Sequence, residues 1–484
     1  MAYKHGVFMS EVPTSVVPMT EVYAGLPVIF GTAPLHLAAN PAEVNRPQLC
    51  YSYAEAVEYF GYSDDWKQYT LCEAMYTLFS LFARGPVIFV NVLNPKKHKT
   101  SATDTEKALT SGRTVLTDAV LASTLKVKTS AAGEPLKEDV DYTVDHDDNN
   151  NNLVITALKD GKLASSTKVF VSYDALDASA VKEDDIIGGV DVETGAYEGL
   201  ETLNQVFPLT RLVPGFVLAP GWAEKPSVAA VMAAKAANIN SHFQAQCLCD
   251  VPTDQVRKYS DVPTWKEANS YTGKNQVVCW PMTRLDNRVI HMSLQVLGTA
   301  LTADSANDDV PYVSPSNHSM QANGLCLADG TEVVLGPDLA EYLNGQGVVT
   351  GLNFIGGWKV WGNRTGCYPA TTDPKDSFIP VRRMFNWIDT KIVQTYWAKV
   401  DGPINKRLIQ TVVDSVNIWL NGLQAQGAIL GGRVEFRTDE NPTTSLADGK
   451  VKFHILVTPP TPARELDFVL EYDVDYFTNL FANV

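Results

Sequence analysis

The chain is short of several things at once. Only 19% of its 484 residues are charged, and Lys and Arg are outnumbered 39 to 55 by Asp and Glu, for a formal net charge of −16. A chain so poor in cations is not built to neutralise a phosphate backbone, which excludes a general nucleic-acid binder. Apolar runs are also short: residues 86–93 and 228–237 fall well below the ~20 residues that cross a bilayer. Residues 1–30 hold one Lys, together with Pro13, Pro18 and Pro27, and no apolar core of signal-peptide length. The seven cysteines are odd in number and scattered through apolar strings, so they read as buried thiols of a reducing cytoplasm.

Signatures of catalysis are missing too. The Gly-Lys pairs at 161, 273 and 449 are followed by Leu, Asn and Val, so none completes a phosphate-binding P-loop. Gly345, Gly347 and Gly351 miss the dinucleotide spacing by one residue and follow a helix, where that motif needs a strand. Neither H-E-x-x-H nor G-x-S-x-G occurs. His242, Cys247 and Cys249 lack the second ligand pair of a structural zinc site and read as core residues. Asp145, Asp147 and Asp148 lack the spacing and distal Glu of a calcium loop and read as a solvated turn. The expectation is no catalytic residue, no metal and no cofactor.

What is present is a core. At 45% hydrophobic and 10% aromatic the chain is no disordered polymer, and its length suggests about three folding units. Val28–Ala33 reads as a buried strand. Ser52-Tyr53-Ala54-Glu55 and Thr70-Leu71-Cys72-Glu73 read as capping boxes opening two helices, stopped by Gly61 and Gly85. Pro86–Val92 is too uniformly apolar for a half-exposed strand, so it belongs in a sheet covered on both faces. Residues 23–95 are thus an α/β unit. Between 96 and 180 the texture turns polar, with short strands near 125–129, 140–144, 153–158 and 168–173, which suggests an inserted small β-sandwich. Strand–helix alternation resumes over 181–356 as a central α/β domain. Residues 357–462 hold a short strand at Trp358–Trp361, two long helices near 380–399 and 404–425, and strands near 429–436 and 451–457. The overall class is a multidomain α/β and α+β protein.

The two ends are extended arms, 1–22 and 463–484. In the first, Val7, Phe8, Met9, Glu11 and Val12 are β-prone and flanked by prolines. In the second, Leu466, Phe468, Leu470, Tyr472 and Val474 alternate with acidic residues, with only Val469 out of place, a half-buried strand pattern over 466–474. Two such arms either complete their own sheet or add as strands to neighbouring copies.

Specific blocks resemble the contractile-tail sheath proteins. Tyr3 to Pro13 resembles that family's "pGVyveEv" opening, with His5 where many members have Pro. Val28–Pro34 is similar to its "aafVGtAp" strand, and Pro47 through Gly61 to its "P..i.s..ea...fG" block. Trp361-Gly362-Asn363-Arg364-Thr365 resembles "vwGaRT", Ile379–Arg383 resembles "inVRR", and Gly431-Gly432 falls at the "G.i.g" turn. Pro462–Phe468 resembles the terminal strand of the temperate-phage and R-type bacteriocin branch.

The resemblance implies a structural, non-enzymatic subunit that stacks as hexameric rings around an inner tube. Contraction would drive that tube through a bacterial envelope. It implies an α/β sheath core built from both ends of the chain, with 357–462 as the tube-facing domain whose sheet accepts neighbours' arms. Partners would be other copies, the inner tail tube protein, and baseplate and tail terminator proteins, with no nucleic acid and no membrane insertion. Assembly would occur in the bacterial cytoplasm, for a virion tail or a released bacteriocin particle. Arg382, Arg383, Lys391, Lys406 and Arg407 either face inward onto acidic patches of the tube or make ordinary salt bridges within their own domain. The competing classes are a cytoplasmic α/β hydrolase-like enzyme and another tail component, tube or baseplate.

Overall fold

The computed structural model describes residues 19, 20, 22–147 and 152–480. Val7, Phe8, Met9, Glu11 and Val12 of the first arm, and Asp148 of the polar turn, lie outside the described residues.

An eight-stranded sheet forms the centre, in the order 48–50, 87–91, 27–31, 216–218, 246–250, 276–279, 348–353, 358–361. Its inner six strands run parallel, and the two edge strands, Gln48–Cys50 and Trp358–Trp361, run antiparallel. Every residue of Pro27–Gly31, Val87–Asn91 and Gln246–Asp250 is buried, as strands covered on both faces must be. The covering layers include helices Tyr53–Phe60, Thr70–Met75, Pro226–Ala236 and Met292–Ser305, whose Phe60, Met75, Met232 and Leu297 join one apolar cluster with the strands. Segments 23–95 and 181–356, expected as separate units, are joined by this sheet, which also takes in Trp358–Trp361 from the segment beyond. Alternation along the sequence locates parallel strands but not their order, because each crossover spans many residues.

Local signals act partly as expected. Ser52 Oγ accepts a hydrogen bond from the Glu55 amide at 3.3 Å, and Gly61 ends that helix. The second box does not form. Thr70 Oγ1 accepts from the Thr32 amide instead, and Glu73 reaches out of its helix altogether. That helix passes into a π-turn over Tyr76–Leu81. Gly298 lets helix Met292–Ser305 approach this region, since a Cβ there would lie 2.3 Å from the Phe82 ring.

Residues 99–176 form two three-stranded antiparallel sheets, in the orders 99–108, 168–176, 126–128 and 113–116, 153–157, 142–146. They share their own apolar cluster, including Leu116, Val127, Ile155, Val171 and Tyr173. Strands Lys99–Ala108 and Arg113–Leu116 escaped the sequence reading because the first is largely exposed and polar.

The C-terminal unit packs helices Ile379–Tyr396 and Lys406–Ala425 against a two-stranded hairpin, Gly431–Glu435 with His454–Thr458. Its cluster includes Met384, Trp387, Val416, Leu420 and Val434.

Candidate assembly surface

The family-like block at Trp361 is the joint between sheet and C-terminal unit. Gly362 adopts φ +133°, and a Cβ there would sit 3.0 Å from Val349 Cα, so the chain turns in contact with the neighbouring strand. Arg364 then lies between two rings, 4.3 Å from the Tyr368 centroid and 3.7 Å from that of Phe378, and donates from Nη1 to Ser377 Oγ at 2.8 Å. Thr365 is fully buried and donates to the Asp376 carbonyl at 2.7 Å. The residues of this block therefore build a corner.

The second arm leaves beside that corner. A cleft of about 670 Å³ is lined by Trp361, Arg364 and Tyr368 and by Pro462, Arg464 and Glu465 of the arm's root. Beyond it the expected strand at 466–474 is absent: residues 459–473 carry no regular structure. Phe468 is 86% exposed and Leu470 97%, and Leu466, Tyr472 and Val474 are exposed as well. A strand exists only where a neighbour supplies the ladder, and among the described residues none pairs with this segment.

The hairpin that precedes the arm in the chain is a sheet of two strands only. One face is closed by helix Lys406–Ala425, through Val434, Ile429 and Leu420. Ile418 and Leu430 of the same unit stay exposed at 54% and 66%.

The five proposed tube-contact cations separate into two groups. Arg382, Arg383 and Lys391 are buried, which sets them on the side of contacts within the domain and not of a face turned to a partner. Arg382 donates to Asp376 Oδ1 at 3.1 Å and Asn386 Oδ1 at 3.0 Å. Arg383 makes a two-pronged pair with Asp304, one prong at 2.9 Å, and stacks 4.5 Å over Phe216. Lys391 Nζ lies 5.2 Å from the Trp387 ring centroid. A burying helix face needs charge partners, and these arginines take theirs from within the chain. Lys406 and Arg407 are exposed, and neither has an ion pair among the described residues. They occupy the first turn of a helix that has no acid there, the end where the macrodipole disfavours cations.

Open α/β sheets bind ligands outside the carboxyl ends of their strands. Here that position is filled from within. Glu73 accepts from the His291 amide at 2.7 Å, and Asp250 from the Ser293 amide at 2.9 Å, so two of the chain's own carboxylates occupy the start of helix Met292–Ser305. The His291 ring lies between Glu73 and Glu224, the latter 3.5 Å from Nε2. Burial pushes Asp250 up to about 6. Burial would lower His291, but the Glu73 charge and hydrogen bonds to Glu224 and Glu73 outweigh it and raise the imidazole well above its usual range. These long-range partners were invisible to local motif reading; Glu73 had passed for a cap.

Elsewhere, Cys247 and Cys249 are buried in one strand while His242 is exposed against Trp397. Among the described residues no group of three His, Cys, Asp or Glu could hold a metal. No described helix is long and apolar enough to cross a membrane.

Comparison with known proteins matches this architecture. Residues 371–472, the corner's far side through the arm, match the family described as phage tail sheath C-terminal domain. Over 99% of its length the chain is 28% identical to the tail sheath protein of Burkholderia phage BcepMu, covering 98% of that protein. It is 24% identical over 62% of its length to the tail sheath protein of Escherichia phage P2, covering 73% of it. The fold is similar, at TM-score 0.57 and 14% identity over 98% of this chain, to a chain of the contracted-state PVC sheath complex, an extracellular contractile injection system, covering 99% of that chain. A chain of the anti-feeding prophage baseplate is similar to the same degree, TM-score 0.57 and 14% identity, over 98% of this chain and 100% of that one. The protein is thus a mixed α/β multidomain relative of phage tail sheath proteins. More narrowly, its fold is similar over 98% of its length to chains of contractile injection systems.

Proposed function

We propose that this chain is the subunit of a contractile sheath, stacking as hexameric rings around an inner tube and shortening to drive that tube through a bacterial envelope. The observation that carries the reading is the unpaired, apolar, acidic segment 463–477 leaving a body whose C-terminal hairpin is itself an incomplete sheet. Donated to a neighbour, such a strand forms five or six backbone bonds worth about 0.5–1.5 kcal/mol each, a joint that hinges at its linker without breaking. Heterologous contacts of this kind need not close, so they yield open helical polymers. Stored energy then lies in contacts between subunits, released by rearranging them.

The surroundings support this reading. Lys406 and Arg407 are the cations left to meet an acidic tube. The insert 99–176 reads as a β-sandwich carried on the outside of the lattice. Assembly would take place in the bacterial cytoplasm, with baseplate and terminator proteins at the two ends. The test is electron microscopy of the purified protein. The full chain is expected to give rods or rings, and a chain ending at residue 462 only dispersed, folded subunits. Normal rods from the truncated chain would overturn the proposal.

A further inference from the structure

The hairpin's two edges are not equivalent. On the outer side of strand Gly431–Glu435, Asn417 of helix Lys406–Ala425 takes both backbone groups of Val434: its Oδ1 accepts from the Val434 amide at 3.0 Å, and its Nδ2 donates to the Val434 carbonyl at 3.4 Å. The carboxamide makes the pair of bonds a third strand would make. Since Val434 points these groups away from its partner strand, the residue opposite it in register, Ile455, does the same on the far side. Val457, opposite Gly432, follows by alternation. Among the described residues none bonds the backbone of Ile455 or Val457 on that outer edge. This edge follows the exposed Lys450 and Lys452, which pair with Asp448 and Glu440 in the isolated chain and could turn to an added strand, and segment 463–477 carries Glu465, Asp467, Glu471 and Asp473. Edge strands left open invite pairing, and blocking one with a side chain restricts where it occurs.

We infer that Asn417 closes one edge of the hairpin, so the sheet between subunits grows only from the His454–Thr458 edge, whose first added strand is the acidic C-terminal segment of a second copy. This rests on the strand-exchange reading above and adds to it a direction. An arm arriving later must pair with the strand already added, which makes assembly ordered.

The test uses the full chain, dispersed at low concentration, and a dye-labelled synthetic peptide of residues 463–476. The peptide should bind, and amide exchange should show Ile455 and Val457 becoming protected while Val434 is unchanged. Val457→Pro removes an N–H that the intact hairpin does not use, a placement proline tolerates on an edge, and should weaken peptide binding about tenfold or more. Asn417→Ala should leave binding to that edge intact. Binding that instead protects Gly432, or that Val457→Pro leaves unaltered, would overturn the edge assignment while sparing strand exchange. No binding at all would sink both. If the proline variant fails to fold, the exchange pattern of the unaltered chain decides alone.

Discussion

The imidazole Nδ1 of His291 lies 2.9 and 2.8 Å from the two carboxylate oxygens of Glu73, 218 positions earlier in the chain. The contact ties the N-terminal helical layer to the start of helix Met292–Ser305, beside Asp250 and Glu224.

Stability should therefore depend on pH with a definite sign. His291 is raised in the folded state, so its contribution is complete below about 6.5, the unfolded value, and is lost as pH rises through the folded value. Asp250, raised to about 6, adds a loss of the same sign as pH rises from about 4 to 6. The urea midpoint should fall between mildly acidic and alkaline buffer. His291→Gln should flatten the alkaline part of that slope and Asp250→Asn the acidic part. Parallel slopes in all three proteins would count against the cluster.

The Arg383–Asp304 pair is buried on both sides, with 3% of each side chain exposed. Removing one partner strands a charge in the core, a loss of about 3–5 kcal/mol. Arg383→Met is expected to lose that much by chemical denaturation, and Asp304→Leu added to it to recover a good part. If the single variant unfolds at the unaltered midpoint, the pair contributes nothing.

Much of the fold was legible in the sequence where one residue type answers to its immediate neighbours. Strand Trp358–Trp361 stands where the pattern put it, and Val87–Asn91 is covered on both faces as its unbroken apolarity required. What the pattern could not carry was pairing at a distance. The alternation at 466–474 announced a strand, but a strand is a property of two segments, and the second is not in this chain's described residues. The burial of Arg382 and Arg383 was hidden for the same reason: the partner of Arg383, Asp304, lies 79 positions away. Asn417 gave no signal, since a carboxamide on a helix acquires meaning only from the strand beside it.

The insert should be dispensable for folding. Its ends meet, with Lys99 opposite Leu176 in the ladder and the Asp177 amide donating to the His98 carbonyl at 3.0 Å. Most of its apolar side chains form a cluster of their own, and only Leu176, with Ala119 and Leu121 packed alongside, joins the central one. Replacing residues 99–176 with a short Gly-Ser turn should leave a cooperatively unfolding protein with unchanged helix content and the same rods by microscopy. Loss of the cooperative transition would show that the insert stabilises the sheet beneath it.

Lys406 and Arg407 offer a test in which stability and function move in opposite directions. Both sit at the positive end of helix Lys406–Ala425, behind the Asn405 cap, whose side chain accepts from the Leu408 amide at 2.9 Å. Cations at that end are unfavourable by about 0.3–1 kcal/mol each, so Lys406→Glu and Arg407→Glu should raise the thermal midpoint slightly. If their place is against an acidic tube, the same reversals should release the tube from assembled sheaths at a salt concentration that the unaltered sheath withstands. A purely structural role would move stability alone, and a doubly reversed sheath that still holds its tube through the same wash would remove these residues from the contact.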